Sequence, residues 1–210
     1  MAGVAESASG WRGKTTGCVE DPETGYPHSV YGASFYTKWS DGKPHGYLSL
    51  DSMPKELLGV ESPYVLHSEI VNREPMVAVD AEDLPSGGSV IRLKPDAWSK
   101  EQEINAGYRM IAKAAVGPVE YALAENPATR FFVTWERTPG NDKPGERNYY
   151  WGHYHDDRGK AIADFCARVS EKCEEIEQER KPSIRKQLSE KPPEKEPPAV
   201  KSRNKGSVIR

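Results

Sequence analysis

Residues 129–180 read TRFFVTWERTPGNDKPGERNYYWGHYHDDRGKAIADFCARVSEKCEEIEQER, and this stretch decides the predicted fold. Residues 129–137 alternate with large groups on both faces, which predicts a strand covered on both sides. Residues 148–155 predict a return strand after a turn rich in Gly and Pro. Asp156 or Asp157 then caps a helix that runs to Arg180 with one apolar stripe, formed by Ile162, Phe165, Cys166, Val169, Cys173 and Ile176.

The first half of the chain indicates a small antiparallel sheet. Residues 28–39 and 46–50 predict a hairpin, and further strands are expected at 64–71, 76–79 and 89–93. A capping box begins at Ser99, and apolar residues follow at helical spacing, so we expect a helix from Ser99 to Glu125. The predicted fold class is therefore α+β: a small antiparallel sheet with two packed helices and a disordered basic C-terminal tail.

Composition divides the chain into three parts. Residues 1–27 are small and polar and predict a flexible N-terminal segment, and residues 28–180 predict a single α+β domain. Residues 181–210 carry nine Lys or Arg and three Glu, together with five Pro, and predict a disordered basic tail. Because the whole chain has a net charge of −3, this tail is +6 and the remainder is −9.

The cysteines and the hydropathy pattern bear on the cellular compartment. Three cysteines, Cys18, Cys166 and Cys173, cannot close a disulfide set, and Cys166 and Cys173 lie two turns apart on one predicted helix, beyond disulfide reach. No run of eighteen apolar residues occurs in the sequence. We therefore expect a soluble cytoplasmic protein that does not interact with a membrane.

A metal site is one alternative for residues 153–157. His153 and His155 share a face of the predicted strand, and Asp157 follows at the strand-to-helix junction. This spelling resembles part of the metal-binding signature of the metallo-β-lactamase superfamily, although Arg158 stands where a further His is expected. The resemblance implies a metal-dependent hydrolase. The interpretation we favour makes the two His polar edge-strand residues and the Asp a helix cap, with no metal and no cofactor.

Nucleic-acid binding is a second alternative for the same strand. Tyr149, Trp151 and Tyr154 follow Arg147 at a spacing that resembles the RNP1 strand of RNA-recognition motifs. Aromatic side chains on one face of a strand can stack on bases. The acidic body would repel phosphate, however, and aromatic residues in a sheet more often belong to the core.

Three segments together are similar to strand-strand-helix accessory proteins of bacterial mobile and conjugative elements. They are residues 131–135, 149–154 and 157–165, and the tail segment 181–188 resembles tails of conjugation-associated proteins. The resemblance implies a non-enzymatic cytoplasmic role beside DNA-processing machinery.

We therefore predict an interaction or adaptor module of a mobile element or phage, rather than an enzyme. Its acidic body would bind a protein, and its basic tail would bind nucleic acid or an acidic partner. The expected binding residues are Tyr149, Trp151, His153, His155, Lys181, Arg185 and Lys186. An acidic inhibitor that imitates nucleic acid and occupies a DNA-binding enzyme is the other non-enzymatic alternative. The oligomeric state is left open by the sequence.

Overall fold

The computed structural model describes residues 10–40, 43–85 and 87–180. These residues form twelve strands in one sheet and one long α-helix, α1 (Arg158–Arg180). Short 3-10 turns lie at Leu50–Ser52, Pro95–Ala97 and Pro139–Asn141. The strands are β1 (Gly10–Glu20), β2 (Pro27–Ser40), β3 (Lys43–Ser49), β4 (Val65–Val71), β5 (Glu74–Asp83), β6 (Ser89–Leu93), β7 (Trp98–Ser99), β8 (Ile104–Asn105), β9 (Tyr108–Val116), β10 (Val119–Glu125), β11 (Phe132–Arg137) and β12 (Tyr150–His155).

Five strands close into a barrel. The ring runs β5-β3-β2-β1-β6 and returns to β5, because β5 pairs with both β3 and β6. Every pairing in the ring is antiparallel except β1 with β6. Val19, Leu48 and Ile91, which are completely buried, belong to the core of this barrel. Closure depends on Gly17, where an added Cβ would stand 1.8 Å from the carbonyl oxygen of Ser89.

The other half of the sheet is open. The first residues of β5 pair with β4, which lies parallel to β9, and β9 to β12 continue as an antiparallel meander. The turn between β4 and β5 places both Asn72 and Arg73 in the left-handed region, at φ 52° and 66°. Strand β5 therefore belongs to both the barrel and the open half, so the two halves share one continuous core.

Helix α1 covers one face of the open half. Its apolar stripe is buried against the main core, and Phe165 and Val169 are completely buried. The opposite face of β4 and β9–β11 carries a second apolar cluster of Val65, Met110, Ala122, Ala124, Val133 and Trp135. Strands β9 and β10 are consequently covered on both faces.

The predicted fold class is wrong. Strands hold 51% of the described residues, the sheet is large and mixed, and the predicted helix from Ser99 to Glu125 is made of strands β7 to β10. Because these strands are buried on both faces, they are apolar at many successive positions, and some of those positions match the spacing expected for a helix. The Ser99 hydroxyl lies 2.9 Å from Nε2 of His67 instead of capping a helix, and Gly107 and Gly117 have the positive φ of hairpin turns.

Several local predictions are confirmed. The hairpin of β2 and β3, the strands β4, β5, β6, β11 and β12, and the helix α1 all occur where the sequence indicated them. Asp157 caps α1, since its carboxylate accepts a hydrogen bond from the Lys160 amide at 2.9 Å.

The two predicted flexible ends have different outcomes. Within the N-terminal segment 1–27, residues Gly10–Glu20 form β1, while residues 1–9 lie outside the described part of the chain. The basic tail 181–210 lies entirely outside it. Within the described ranges, no helix combines the length and the apolar character that crossing a membrane requires.

Candidate functional site

No second strand of the described residues covers the outer edge of β12. β12 is the last strand of the sheet order, and within residues 10–40, 43–85 and 87–180 only β11 pairs with it. Two large side chains of this strand are exposed, Trp151 by 70% and Tyr154 by 62%. An unpaired strand edge with aromatic side chains can accept an additional strand.

A bulge controls the direction of Trp151. The register of β11 and β12 shifts between Thr134 and Glu136, and Trp151 takes a positive φ of 49°. Gly152 follows, and an added Cβ there would come within 2.7 Å of the indole Nε1 of Trp135. The sheet is therefore tightly packed beneath Gly152, while the neighbouring indole of Trp151 extends into solvent.

Arg168 of α1 anchors this bulge from the covered face. Its Nη1 donates to the carbonyl oxygens of Trp151 at 2.9 Å and Thr134 at 3.0 Å, and to the Thr134 hydroxyl at 3.1 Å. The guanidinium carbon lies 5.4 Å from the ring centre of Tyr121, and Nη2 is 3.8 Å from the Glu136 carboxylate. Arg168 is only 9% exposed, so the contacts that join β12 to α1 are largely shielded from solvent.

Asp164 of α1 lies between the two histidines of β12. Its Oδ1 is 2.9 Å from Nδ1 of His153, and its Oδ2 accepts a hydrogen bond from the Thr134 hydroxyl. Nε2 of His155 is 3.5 Å from Oδ2, a distance that suits electrostatic attraction but lacks hydrogen-bond geometry. Burial by itself would raise the pKa of Asp164, but the hydrogen bonds from His153 and Thr134, with the nearby imidazoles, outweigh it and lower that pKa.

The structure separates Asp157 from the predicted metal ligands. The Asp157 carboxylate caps α1, whereas His153 and His155 both approach Asp164. Within the described ranges, no group of three or more His, Cys, Asp or Glu side chains is placed to hold a metal ion. Sequence reasoning missed Asp164. The available signal was its position one helical turn before Arg168, beside the apolar stripe that faces the sheet.

Tyr149 does not share a surface with Trp151. Its ring packs at 5.8 Å from Trp135, and its hydroxyl lies 3.3 Å from the Glu120 carboxylate. Burial, together with the charges of Glu103 and Glu120, raises the pKa of Tyr149 far above its ordinary value. Of the predicted binding residues, Trp151 and His153 are thus the exposed ones on β12, while His155 is largely covered and Tyr149 is packed into the second cluster. Lys181, Arg185 and Lys186 lie outside the described residues.

Three of the six carboxylates of α1 are paired with Arg or Lys side chains. Arg73 contacts Glu174 at 3.0 Å and Glu177 at 2.6 Å, and Lys172 contacts Glu175 at 2.9 Å. These ion pairs reduce the effective negative charge of the helix surface. An inhibitor that imitates nucleic acid needs a row of negative charges facing its target, so the pairing makes this face of α1 less suited to that role.

Several clefts formed by the described residues lie away from the β12 edge, and two of them differ in their surroundings. One, of about 480 Å³, opens beside the barrel strands and is lined by residues that include Phe35, Val79 and Ser89. The other, of about 550 Å³, lies where β10, the loop at Arg130 and the start of α1 meet residues 55–61. Neither cleft was predicted from the sequence, because the lining residues come from distant segments.

The chain was compared with known proteins by sequence and by structure. No protein-family model matches it, and neither the curated proteins nor the solved structures give a significant match.

Proposed function

We propose that this protein is a non-enzymatic interaction module that binds an extended segment of a partner protein along the outer edge of β12. The observation that carries the proposal is the outer edge of β12, which no other strand of the described residues pairs, together with the exposed side chains of Trp151 and Tyr154 on the same strand. A partner strand would form main-chain hydrogen bonds with the edge, and the two aromatic rings would contact its side chains.

The edge is supported by rigid contacts. Arg168 holds the Trp151 carbonyl of β12 and the Thr134 carbonyl of β11 from the covered side, and Asp164 orients His153 from the same side. A strand that is already ordered loses little conformational entropy when a partner binds, which favours affinity.

The charge of the chain favours a basic partner segment. Residues 1–180 carry a net charge of −9, so a partner rich in Lys or Arg is attracted at long range. The basic tail with Lys181, Arg185 and Lys186 would contact nucleic acid or an acidic partner, which completes the adaptor role. Its place in a mobile element or phage is a proposal that rests on the sequence resemblance alone.

A displayed library of random ten-residue peptides, selected against the full-length chain, tests the proposal because it samples extended segments of every side-chain chemistry. We expect enriched peptides to alternate β-branched or aromatic residues with Lys or Arg. Binding of purified enriched peptides is then measured by calorimetry with two variants. The double variant Trp151→Lys, Tyr154→Lys places charges along the edge, and Tyr31→Lys is the control because Tyr31 is 83% exposed on the barrel strand β2.

The expected result is loss of peptide binding in the double variant and full binding in Tyr31→Lys. Equal binding by both variants, or an enriched set without any extended pattern, would contradict the proposal. A further variant that ends at Arg180 tests the tail separately. It should keep the peptide affinity and lose any salt-dependent retention of single-stranded or duplex DNA.

A further inference from the structure

The cleft of about 480 Å³ lies on the inner face of the barrel. Residues directly opposite each other on paired strands face the same side, so the register places its lining on the face that also carries the buried Leu48 and Ile91. All five strands of the ring contribute to this lining, with Thr15, Phe35, Gly46, Val79, Asp83 and Ser89. The mouths of β-barrels are common positions for small-molecule sites, and this volume is usual for them.

Small inward-facing residues leave this space. A ring of five strands is narrow enough for large side chains to fill it, but Gly46, Ala81 and Ser89 face inward here. An added Cβ on Gly46 would stand 2.8 Å from Cζ of Phe35, so the glycine leaves room for that ring. Phe35 and Val79 therefore form an apolar part of the cavity.

Thr15, Ser89 and Asp83 form a hydrogen-bonded chain at the polar part. The Ser89 hydroxyl donates to Oδ1 of Asp83 at 3.0 Å, because an ionised carboxylate can only accept. Since the Ser89 proton is used there, the Thr15 hydroxyl is the donor in its contact with Oγ of Ser89, also at 3.0 Å. Both protons point towards Asp83, so the chain offers only lone pairs to a ligand. Asp83 is exposed, and its carboxylate can be reached from the mouth of the cavity.

The charges around the cavity favour a cation. Asp80 at the rim lies 3.9 Å from Lys94, whereas within the described ranges no Lys, Arg or His side chain pairs with Asp83. Lys14 also lines the cavity, but its Nζ already donates to the Ser34 hydroxyl at 2.7 Å. Because residues 1–180 carry a net charge of −9, the local attraction of Asp83 for a cation adds to a general one.

We propose that the barrel cavity binds the primary ammonium group of a small amine with an apolar body. An ammonium group carries three donors and no acceptor, which matches side chains that offer acceptors only. It would pair with Asp83 and donate to the Thr15 hydroxyl, while the apolar body would contact Phe35 and Val79. An alcohol brings one donor and no charge, and a carboxylate would be repelled by Asp83. The site is separate from the β12 edge and does not depend on partner binding there.

Three probes of nearly equal size test this recognition: 2-phenylethylamine, which is protonated at neutral pH, 2-phenylethanol and phenylacetate. Each is titrated into the ¹⁵N-labelled full-length protein, and the backbone amide signals of Gly46 and Ser89 are followed by NMR. We expect saturable shifts of both signals with the amine. The alcohol should bind at least about tenfold more weakly, and phenylacetate should give no saturable shift.

Two neighbouring residues of β5 provide a variant and its matched control. Asp83→Asn keeps an acceptor for Ser89 and removes the charge, so the amine should bind at least about tenfold more weakly, while the alcohol should lose less affinity. Glu82→Gln removes the same charge outside the cavity, because the Glu82 side chain is 68% exposed and lies 3.1 Å from Arg92. This control should leave the amine affinity unchanged.

Ala81→Leu tests the position of the ligand, even if Asp83→Asn is unstable. Ala81 is an exposed residue of the lining, so a larger side chain there would occupy the cavity and weaken binding of both the amine and the alcohol. The proposal is overturned if the amine gives no saturable shift, or if its affinity is unchanged in Asp83→Asn or in Ala81→Leu. An equal loss in Glu82→Gln would overturn it as well, because the amine would then respond only to the general acidity of the barrel surface.

Discussion

Nδ1 of His153 lies 2.9 Å from Oδ1 of Asp164, and this contact ties the exposed strand β12 to the second turn of α1. The same carboxylate accepts a hydrogen bond from Thr134 on β11. One side chain of the helix thus connects the last two strands of the sheet. Each strand contact made by Asp164 involves a charged acceptor, which strengthens it relative to a neutral hydrogen bond.

Replacing Asp164 should change how stability depends on pH. The pKa of Asp164 is below its ordinary value of 3.8 in the folded protein, so the carboxylate adds stability above that value. This contribution is lost as the pH falls through the lower folded pKa. We expect Asp164→Asn to lower the free energy of unfolding at pH 7 by about 1–3 kcal/mol. Between about pH 4 and pH 2, the variant should lose less stability than the wild-type protein.

Urea unfolding at a series of pH values measures this effect. Asp80→Asn serves as the control, because the Asp80 side chain is 75% exposed and lies 3.9 Å from Lys94. An unchanged acid dependence in Asp164→Asn would show that the carboxylate is not bound to β12 in solution.

Arg168 should be among the most sensitive positions of α1. Its guanidinium contacts two carbonyl groups and the Thr134 hydroxyl, so Arg168→Ala leaves these acceptors without their donor. We expect a loss of roughly 3 kcal/mol in the free energy of unfolding. Arg168→Lys should recover less than half of it, because one ammonium group cannot reproduce the planar fork. Lys172→Ala, which removes a surface ion pair with Glu175, should cost under about 1 kcal/mol.

Closure of the barrel can be tested at Gly17. An added Cβ would overlap the Ser89 backbone, so Gly17→Ala must separate β1 from β6 and should cost at least about 2 kcal/mol. Gly140→Ala is the control, since a Cβ there meets nothing within 4 Å. Hydrogen exchange should show faster exchange of β6 amides in Gly17→Ala. Unchanged protection of β6 would contradict the closed ring.

Replacing Trp151 should weaken peptide binding without lowering the stability of the fold. The residue is 70% exposed and has a left-handed backbone, which Asn adopts at lower cost than Trp. We expect Trp151→Asn to leave stability unchanged or to raise it by up to about 1 kcal/mol, while peptide binding at the β12 edge falls. Thermal unfolding and calorimetry on the same samples measure the two effects. A variant that is destabilised by several kcal/mol would show that the indole is a structural element.

The thiol of Cys166 should be unreactive in the native protein. Burial, with the charges of Asp51 and Glu74, raises its pKa to about 12, so little thiolate exists at about pH 8. We expect iodoacetamide to modify Cys166 at least about 100-fold more slowly in the native state than in urea. Mass spectrometry of peptides after timed labelling gives both rates. Equal rates would mean that α1 separates from the sheet on the timescale of labelling.

Local patterns made the C-terminal part of the fold predictable. β11, β12 and α1 are encoded by alternation, turn residues and the cap at Asp157, all of which act over a few residues. The region from Ser99 to Glu125 was mistaken for a helix because β9 and β10 are buried on both faces and lose the alternation typical of half-buried strands.

The site was predictable only where it is local. His153, His155 and Trp151 lie on one strand, and the sequence placed them together there. Asp164 and Arg168 reach them only through the docking of α1 on β11 and β12. Glu125 and Arg158 come close to residues 55–61 only through long-range strand pairing, such as the parallel pairing of β4 with β9. Residue spacing in the sequence gives no indication of such pairing.

Because β1 pairs with β6, the barrel cannot close during protein synthesis until β6 has been made. The ribosome releases β1 first, and its partner on one side, β6, ends only at Leu93. Until that residue emerges, β1 and β5 each keep an open edge on the growing chain. A nascent chain that stalls before Leu93 therefore exposes the unpaired edges of β1 and β5. Pairing of these edges with a neighbouring nascent chain then competes with closure of the barrel.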